Sequence, residues 1–383
     1  MLAAVAALVL ASGAKKGLQV QMIEDALDLG VRHAAFNVQM GDYLDPRSLA
    51  PAPGAVAELK ARLQPLRKKG VVFYAILLAR QTGDARVDRA ILHPRYDPES
   101  PNKLAAFNTT AEGEAVLKSF CRAFKGVFDG WIVGNEVNSH HAWFSMGPST
   151  PDEVVDTIER SLRIVHESVE PARVYLSLDH FWTARHQPEP RRWLPGREVL
   201  DGVAALARKR GDFPWHVAHH PYPENLFEPR FWLDRTAPLR FSAARVTFRN
   251  LEVLTEYLKK PSMTYRGKAR RVILSEQGFH RPEGADGETI QAAAYAYAWH
   301  RVVRNPGIDA FILHRHVDHA QEGGLRLGLW TNRPGSVADP DRRTRMWEVM
   351  KAAGTEKEGE ATAFALPIVG LESWEEARPR KVN

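Results

Sequence analysis

The chain alternates. Short apolar, β-prone runs and longer amphipathic stretches follow one another along most of its length, and this rhythm restricts the fold more than any other feature. Strands separated by helices imply βαβ units and a parallel sheet. The clearest buried strand is Val71 to Leu78, an unbroken apolar run. Similar runs occupy Val31 to Met40, Trp131 to Glu136, Arg173 to Leu178, Trp215 to His220, Arg271 to Glu276 and Ala310 to His314. Between them lie helical patterns: Gln19 to Leu29 ending at Gly30, Ala55 to Lys69 ending at Gly70, and Glu112 to Phe128. Another starts at Thr150 with Pro151 behind it, and others cover Arg197 to Lys209, Asn250 to Lys260, Glu288 to Val303 and Arg343 to Ala352.

The first strand is the ambiguous one. Leu2 to Ala11 is apolar and is followed by Ser12-Gly13-Ala14, which has the form of a signal-peptide core and cleavage site without a basic leader. Val5 to Leu10 also has the length of a strand, and taking it as one brings the count to eight. Eight βα units in a chain of this length define a (β/α)8 TIM barrel, an α/β fold expected to form one domain over residues 1–354. Residues 355–383 read as a charged, loop-like tail packing on or trailing from the barrel, and the polar, proline-bearing segment 81–110 reads as one long loop. No glycine-rich phosphate loop follows an early strand, which argues against an open doubly wound sheet.

Composition excludes several classes. The net charge of +6 over 383 residues is a mild excess with no long basic run, so no nucleic-acid partner is expected. Nothing is long and apolar enough to span a membrane. Cys121 is the only cysteine, which excludes an intramolecular disulfide and a cysteine-based zinc site. Its helical context makes it a small buried hydrophobe. A leader at residues 1–14 would place the protein outside the cytoplasm, secreted or periplasmic; a first barrel strand there would make it cytoplasmic.

In a TIM barrel, chemistry gathers at the carboxyl ends of the strands. Collecting those ends gives Asn37, Asn135, Glu136, Asp179, His180, His219, His220, Tyr222, Glu276, His314 and His316. Two strand-end glutamates, Glu136 on the fourth strand and Glu276 on the seventh, are the minimal equipment for hydrolysing a glycosidic bond. Asn135-Glu136, Glu276 and His220-Pro221-Tyr222 after the sixth strand together resemble clan A of the glycoside hydrolases. The chain as a whole also resembles a bacterial family of barrels of unknown function.

The clan resemblance implies a retaining hydrolase acting on a poly- or oligosaccharide by double displacement. Glu136 would be the general acid/base, Glu276 the nucleophile, and Asn135 a donor to the sugar 2-hydroxyl. Such a pair needs opposite surroundings. A proton donor is favoured by burial and a second carboxylate, whereas an ionised nucleophile needs hydrogen-bond donors. Tyr222 and a strand-six histidine are placed to supply them. The sequence departs from the clan in two places. The eighth strand ends in His314-Arg315-His316 instead of a tryptophan flooring the sugar site, with Trp330 arriving later. After the second strand, Asn37 or Gln39 stands where an arginine is common. These departures bear on the sugar more than on the reaction.

The 15 histidines raise a second reading, a metal-dependent hydrolase. No His-x-His pair lies on the first strand, and adjacent His219 and His220 would point to opposite faces. No metal or cofactor is therefore expected. Trp143, Trp182 and Trp330 are candidate platforms for sugar rings, and Arg185, Arg191, Arg192 and Arg315 are candidate readers of an acidic sugar. A third reading is a catalytically silent barrel that binds carbohydrate.

Overall fold

In the computed structural model, residues 13–185 and 193–383 are described. The proposed strand at Val5 to Leu10 and the candidates Arg191 and Arg192 lie outside them. The strands are β1 (Lys16–Gln19), β2 (His33–Gln39), β3 (Val72–Arg80), β4 (Leu104–Ala105), β5 (Gly130–Val133), β6 (Arg173–Leu178), β7 (Trp215–His219), β8 (Val272–Leu274) and β9 (Ile308–Leu313). Their order in the sheet is β2-β1-β9-β8-β7-β6-β5-β3-β4, and a further β2–β3 pairing closes it. Eight of these strands form a closed parallel barrel, and β4 is an antiparallel addition on the end of β3.

The first barrel strand is therefore Lys16–Gln19, and it ends on the residue where periodicity had predicted the start of a helix. The helix α1 begins only at Ile23 and ends at Leu29. Two lysines disguise the strand. Lys16 is 3% exposed and donates to the Leu29 carbonyl at 3.0 Å. Lys15 donates to the carbonyls of Val302 (3.0 Å) and Asn305 (2.8 Å). Each ammonium thus satisfies carbonyls left open at a helix end, and burial pulls both lysines down to about 8. The remaining helices are α2 (Pro53–Lys68), α3 (Ala85–Ile91), α4 (Ala111–Ala123), α5 (Pro151–Val169), α6 (Gly196–Arg210), α7 (Glu252–Tyr257) and α8 (Gly287–Arg304). The segment expected as one loop after β3 contains α3 and β4.

The chain divides into two compact units, and the dividing lines fall inside β2 and β7. One unit contains residues 36–218 and 258–270. Phe73, Trp131 and Tyr175 are buried in its core. Gly130 opens β5 because a Cβ there would lie 2.6 Å from the Tyr74 ring. A capping box between Thr150 and Glu153 starts α5.

The other unit contains the residues up to Ala35 with 219–257 and 271–383. Phe311 on β9 meets Phe248, Tyr295 and Trp299. The C-terminal segment is ordered, with α9 (Arg345–Ala352), α10 (Glu358–Thr362) and α11 (Ala365–Val369). Its contacts with α8 include a hydrogen bond from Trp299 Nε1 to Glu358 at 2.8 Å and stacking of the His300 and Trp374 rings at 4.1 Å. The charges along this segment therefore decorate packed helices and do not mark a loose tail. Among the described residues, no helix is long and apolar enough to cross a membrane.

Candidate active site

Glu136 lies three residues beyond the end of β5, after a sharp change of backbone direction. Gly134 has φ +77°, and a Cβ there would meet Val137 at 2.8 Å and Phe144 at 2.9 Å. Glu136 itself has φ +40°, a left-handed conformation that a non-glycine residue adopts at a cost of about 1–3 kcal/mol. Two hydrogen bonds hold it: its N–H donates to the Ser177 hydroxyl at 2.9 Å, and the Val137 N–H donates to the Ser177 carbonyl at 3.1 Å. The strand end beside it thus fixes the turn that presents the acid.

The surroundings of Glu136 are carboxylate-rich. Asp179, just beyond β6, accepts from Asn138 Nδ2 at 2.7 Å and from the Phe181 N–H at 2.8 Å. Trp193 Nε1 donates to its other oxygen. Asn138 returns its own oxygen to the Asp179 N–H at 3.1 Å. Burial, and then the charge of Glu136, push Asp179 up to about 7 in spite of these donors. Asn138, fully buried, was not singled out from the sequence; its signal was its place in the Asn-Glu-Val-Asn run.

Glu276, two residues past β8, is half-buried in different company. Tyr222 donates its hydroxyl to one carboxylate oxygen at 3.4 Å, and Gln19 Nε2 reaches the other at 3.5 Å, both long hydrogen bonds. Gln19 Nε2 also donates to the Ser275 carbonyl at 3.1 Å. His220 Nε2 meets the Ser275 hydroxyl at 3.0 Å, and its ring offers a nitrogen within 4.8 Å of a Glu276 carboxylate oxygen. His219 turns elsewhere, to the Val246 carbonyl at 2.9 Å. Gln19 is a site residue that pattern reasoning placed in a helix.

The other candidates separate. His314 is in the Glu276 group through Gln19, at 2.8 Å. His316 and Trp330 belong to a different cluster. Asp25 Oδ2 accepts from His316 Nε2 at 2.9 Å, Trp330 Nε1 at 3.0 Å and Trp347 Nε1 at 3.0 Å. Burial alone would raise Asp25, but these bonds outweigh it and hold the carboxyl at about 2. Asn135 (7% exposed) adjoins Glu136 in the chain, and His180 (9%) meets the Phe181 ring at a tilt. Trp182 is only 2% exposed, whereas Trp143 is partly open and packs against Ala142, Phe181 and Trp193. Asn37 is exposed on β2. Arg185 pairs with Glu198 at 2.9 Å, and Arg315 with Glu322 at 3.0 Å.

The fold is a closed parallel barrel, with Glu136 beyond the carboxyl end of its fourth strand and Glu276 beyond that of its seventh. The chain belongs to a family of unknown function, DUF5722, whose profile matches residues 10–377. No curated protein matches it. Solved structures similar in fold are glycoside hydrolases. A family 39 glycoside hydrolase from the gut symbiont Bacteroides cellulosilyticus WH2 has a TM-score of 0.55 at 13% identity, over 88% of this chain and 60% of that one. This chain thus spans under two thirds of that protein. A glucosidase from Croceicoccus marinus has a TM-score of 0.54 at 13% identity, over 89% of this chain and 67% of that one. A family 5 glycoside hydrolase from Streptomyces cattleya, in complex with GlcNAc, has a TM-score of 0.51 at 17% identity, over 99% and 77%. At such identities the likeness is one of fold.

Proposed function

We propose that the protein is a retaining glycoside hydrolase, with Glu136 as general acid/base and Glu276 as nucleophile. The observation that carries this reading is the contrast between the two glutamates. Glu276 accepts hydrogen bonds from Tyr222 and Gln19. Glu136 is buried on a strained turn, beside the Asp179 carboxyl. Double displacement requires two carboxyl side chains in different roles.

In the first step Glu276 attacks the anomeric carbon while Glu136 gives its proton to the departing glycosidic oxygen. The glycosidic bond breaks as the glycosyl–Glu276 ester forms. In the second step Glu136 takes a proton from water, whose oxygen attacks the anomeric carbon and frees Glu276. Asn135 is assigned to the sugar 2-hydroxyl. Partly open Trp143 is assigned to stacking on a sugar ring.

A panel of purified polysaccharides and aryl glycosides tests the reading. The expected product keeps the anomeric configuration of the substrate, followed by NMR during hydrolysis. Azide is expected to restore turnover of an activated aryl glycoside by Glu136→Ala, giving a glycosyl azide of retained configuration. Unchanged activity in Glu276→Ala would overturn the assignment. Loss of wild-type activity to a chelator would favour a metal-dependent hydrolase instead.

A further inference from the structure

Glu276 has an unusual supply of donors for a carboxylate that must stay ionised. Tyr222 and Gln19 are both uncharged, and among the described residues no lysine or arginine forms an ion pair with it. Behind Gln19, however, the hydrogen bonding continues. The Gln19 amide has a defined orientation, because its nitrogen faces the Ser275 carbonyl, which can only accept. Its oxygen therefore faces His314 Nδ1, at 2.8 Å, and that ring nitrogen must donate. The other ring nitrogen, Nε2, lies 2.7 Å from Glu322 Oε1. Both nitrogens face acceptors, and a neutral imidazole has one hydrogen to offer them. Glu322 is an ionised partner: burial would raise it, but His314 and Arg315 outweigh burial and hold it below the usual carboxylate range. Arg315 occupies its second oxygen at 3.0 Å.

The backbone ties this arrangement to the nucleophile's own loop. The His314 N–H donates to the Gln277 carbonyl at 2.9 Å. Gly278 lets the two segments approach, since a Cβ there would lie 2.3 Å from the His314 carbonyl oxygen.

Resting on the reading of Glu276 as nucleophile, we propose that His314 is its positioning residue. Held as an imidazolium by Glu322, it orients the Gln19 amide toward Glu276 and supplies the positive charge that its direct neighbours lack. The chain Glu322–His314–Gln19–Glu276 then does from β1 and the β9 loop what an arginine would do by direct contact. Arg315 and His319 flank the His314–Glu322 pair, with His319 pulled down by burial and then by Arg315, while Tyr222 and His220 face Glu276.

Two measurements on the full chain test this. The first is nitrogen-15 NMR of the histidine rings at neutral pH, with His314 assigned by comparison with His314→Gln. Two protonated ring nitrogens are expected, and a neutral tautomer would overturn the proposal. The second is covalent labelling of Glu276 by a panel of activated 2-fluoroglycosides, followed by mass spectrometry across pH. In Glu322→Gln and His314→Gln the acid limb of the labelling rate is expected to move up by about one pH unit. Loss of a nearby positive charge makes a carboxylate harder to ionise. Below that limb the rate is expected to fall about tenfold, the equivalent of one unit. Melting curves check that each variant folds. A labelled wild type with an unmoved limb in both variants overturns this proposal alone. A wild type that no probe labels overturns the glycosidase reading and this proposal with it.

Discussion

The two strand-end glutamates differ in almost every respect except their position. Glu136 sits in a strained turn, is 9% exposed, and has another carboxyl beside it. Glu276 is half-buried on unstrained backbone, with a phenol and an amide directed at its two oxygens. The same side chain is therefore given different company by what the neighbouring strand ends contribute. The proposed roles rest on that company, and each can be attacked through the neighbours as well as directly.

The largest effects are expected from removing the glutamates themselves. Glu276→Ala should lose activity by roughly a thousandfold or more on every substrate. Glu136→Ala should lose about a hundred- to ten-thousandfold on substrates with poor leaving groups. It should lose far less on activated aryl glycosides, where the departing group needs no proton. Steady-state rates on a pair of such substrates measure the split. Equal losses on both would break the comparison.

A large effect of another kind is expected away from the site. Asp25→Ala strips the shared acceptor from His316, Trp330 and Trp347, and should destabilise the fold by about 3 kcal/mol in denaturant melts. Asp25 is held at about 2 against 3.8 unfolded, so its contribution is complete above about pH 4. It is lost as pH falls toward 2, and wild type and variant should converge there. Turnover per folded molecule should not change, which separates this cluster from the Glu276 group only two residues away at His314.

Asp179→Asn tests the surroundings of Glu136. The folded carboxyl binds its proton more tightly than the unfolded one, 7 against 3.8. Wild-type stability should therefore carry a term that falls between about pH 4 and 7, and the variant should lack it. Melts across pH check it. The smallest effect is expected at Trp143→Ala, a rise in KM of roughly tenfold or less with kcat little changed, as stacking contributes about 0.5–1.5 kcal/mol.

How much was legible in advance varied along the chain. Seven of the eight barrel strands showed as apolar runs, because strands covered on both faces carry few polar residues. β1 did not. Its four residues begin with a lysine whose ammonium is satisfied by a helix carbonyl elsewhere in the fold, and nothing local reports that. Gln19 was missed for the same reason. His314 and His316 could not be told apart in the sequence, since each is a histidine beside Arg315. What separates them is a distant partner each, Gln19 for His314 and Asp25 for His316.

By itself the sequence determined the rhythm of the barrel and the places where acids interrupt apolar runs, because burial on a periodic backbone leaves a local trace. Only the tertiary structure decided which neighbours each glutamate has. Asp179 beside Glu136 and Gln19 beside Glu276 are meetings of strand ends separated in the chain, created by the strand order of the sheet. The surroundings of each glutamate are therefore a property of the fold, and the proposed division of labour rests on them.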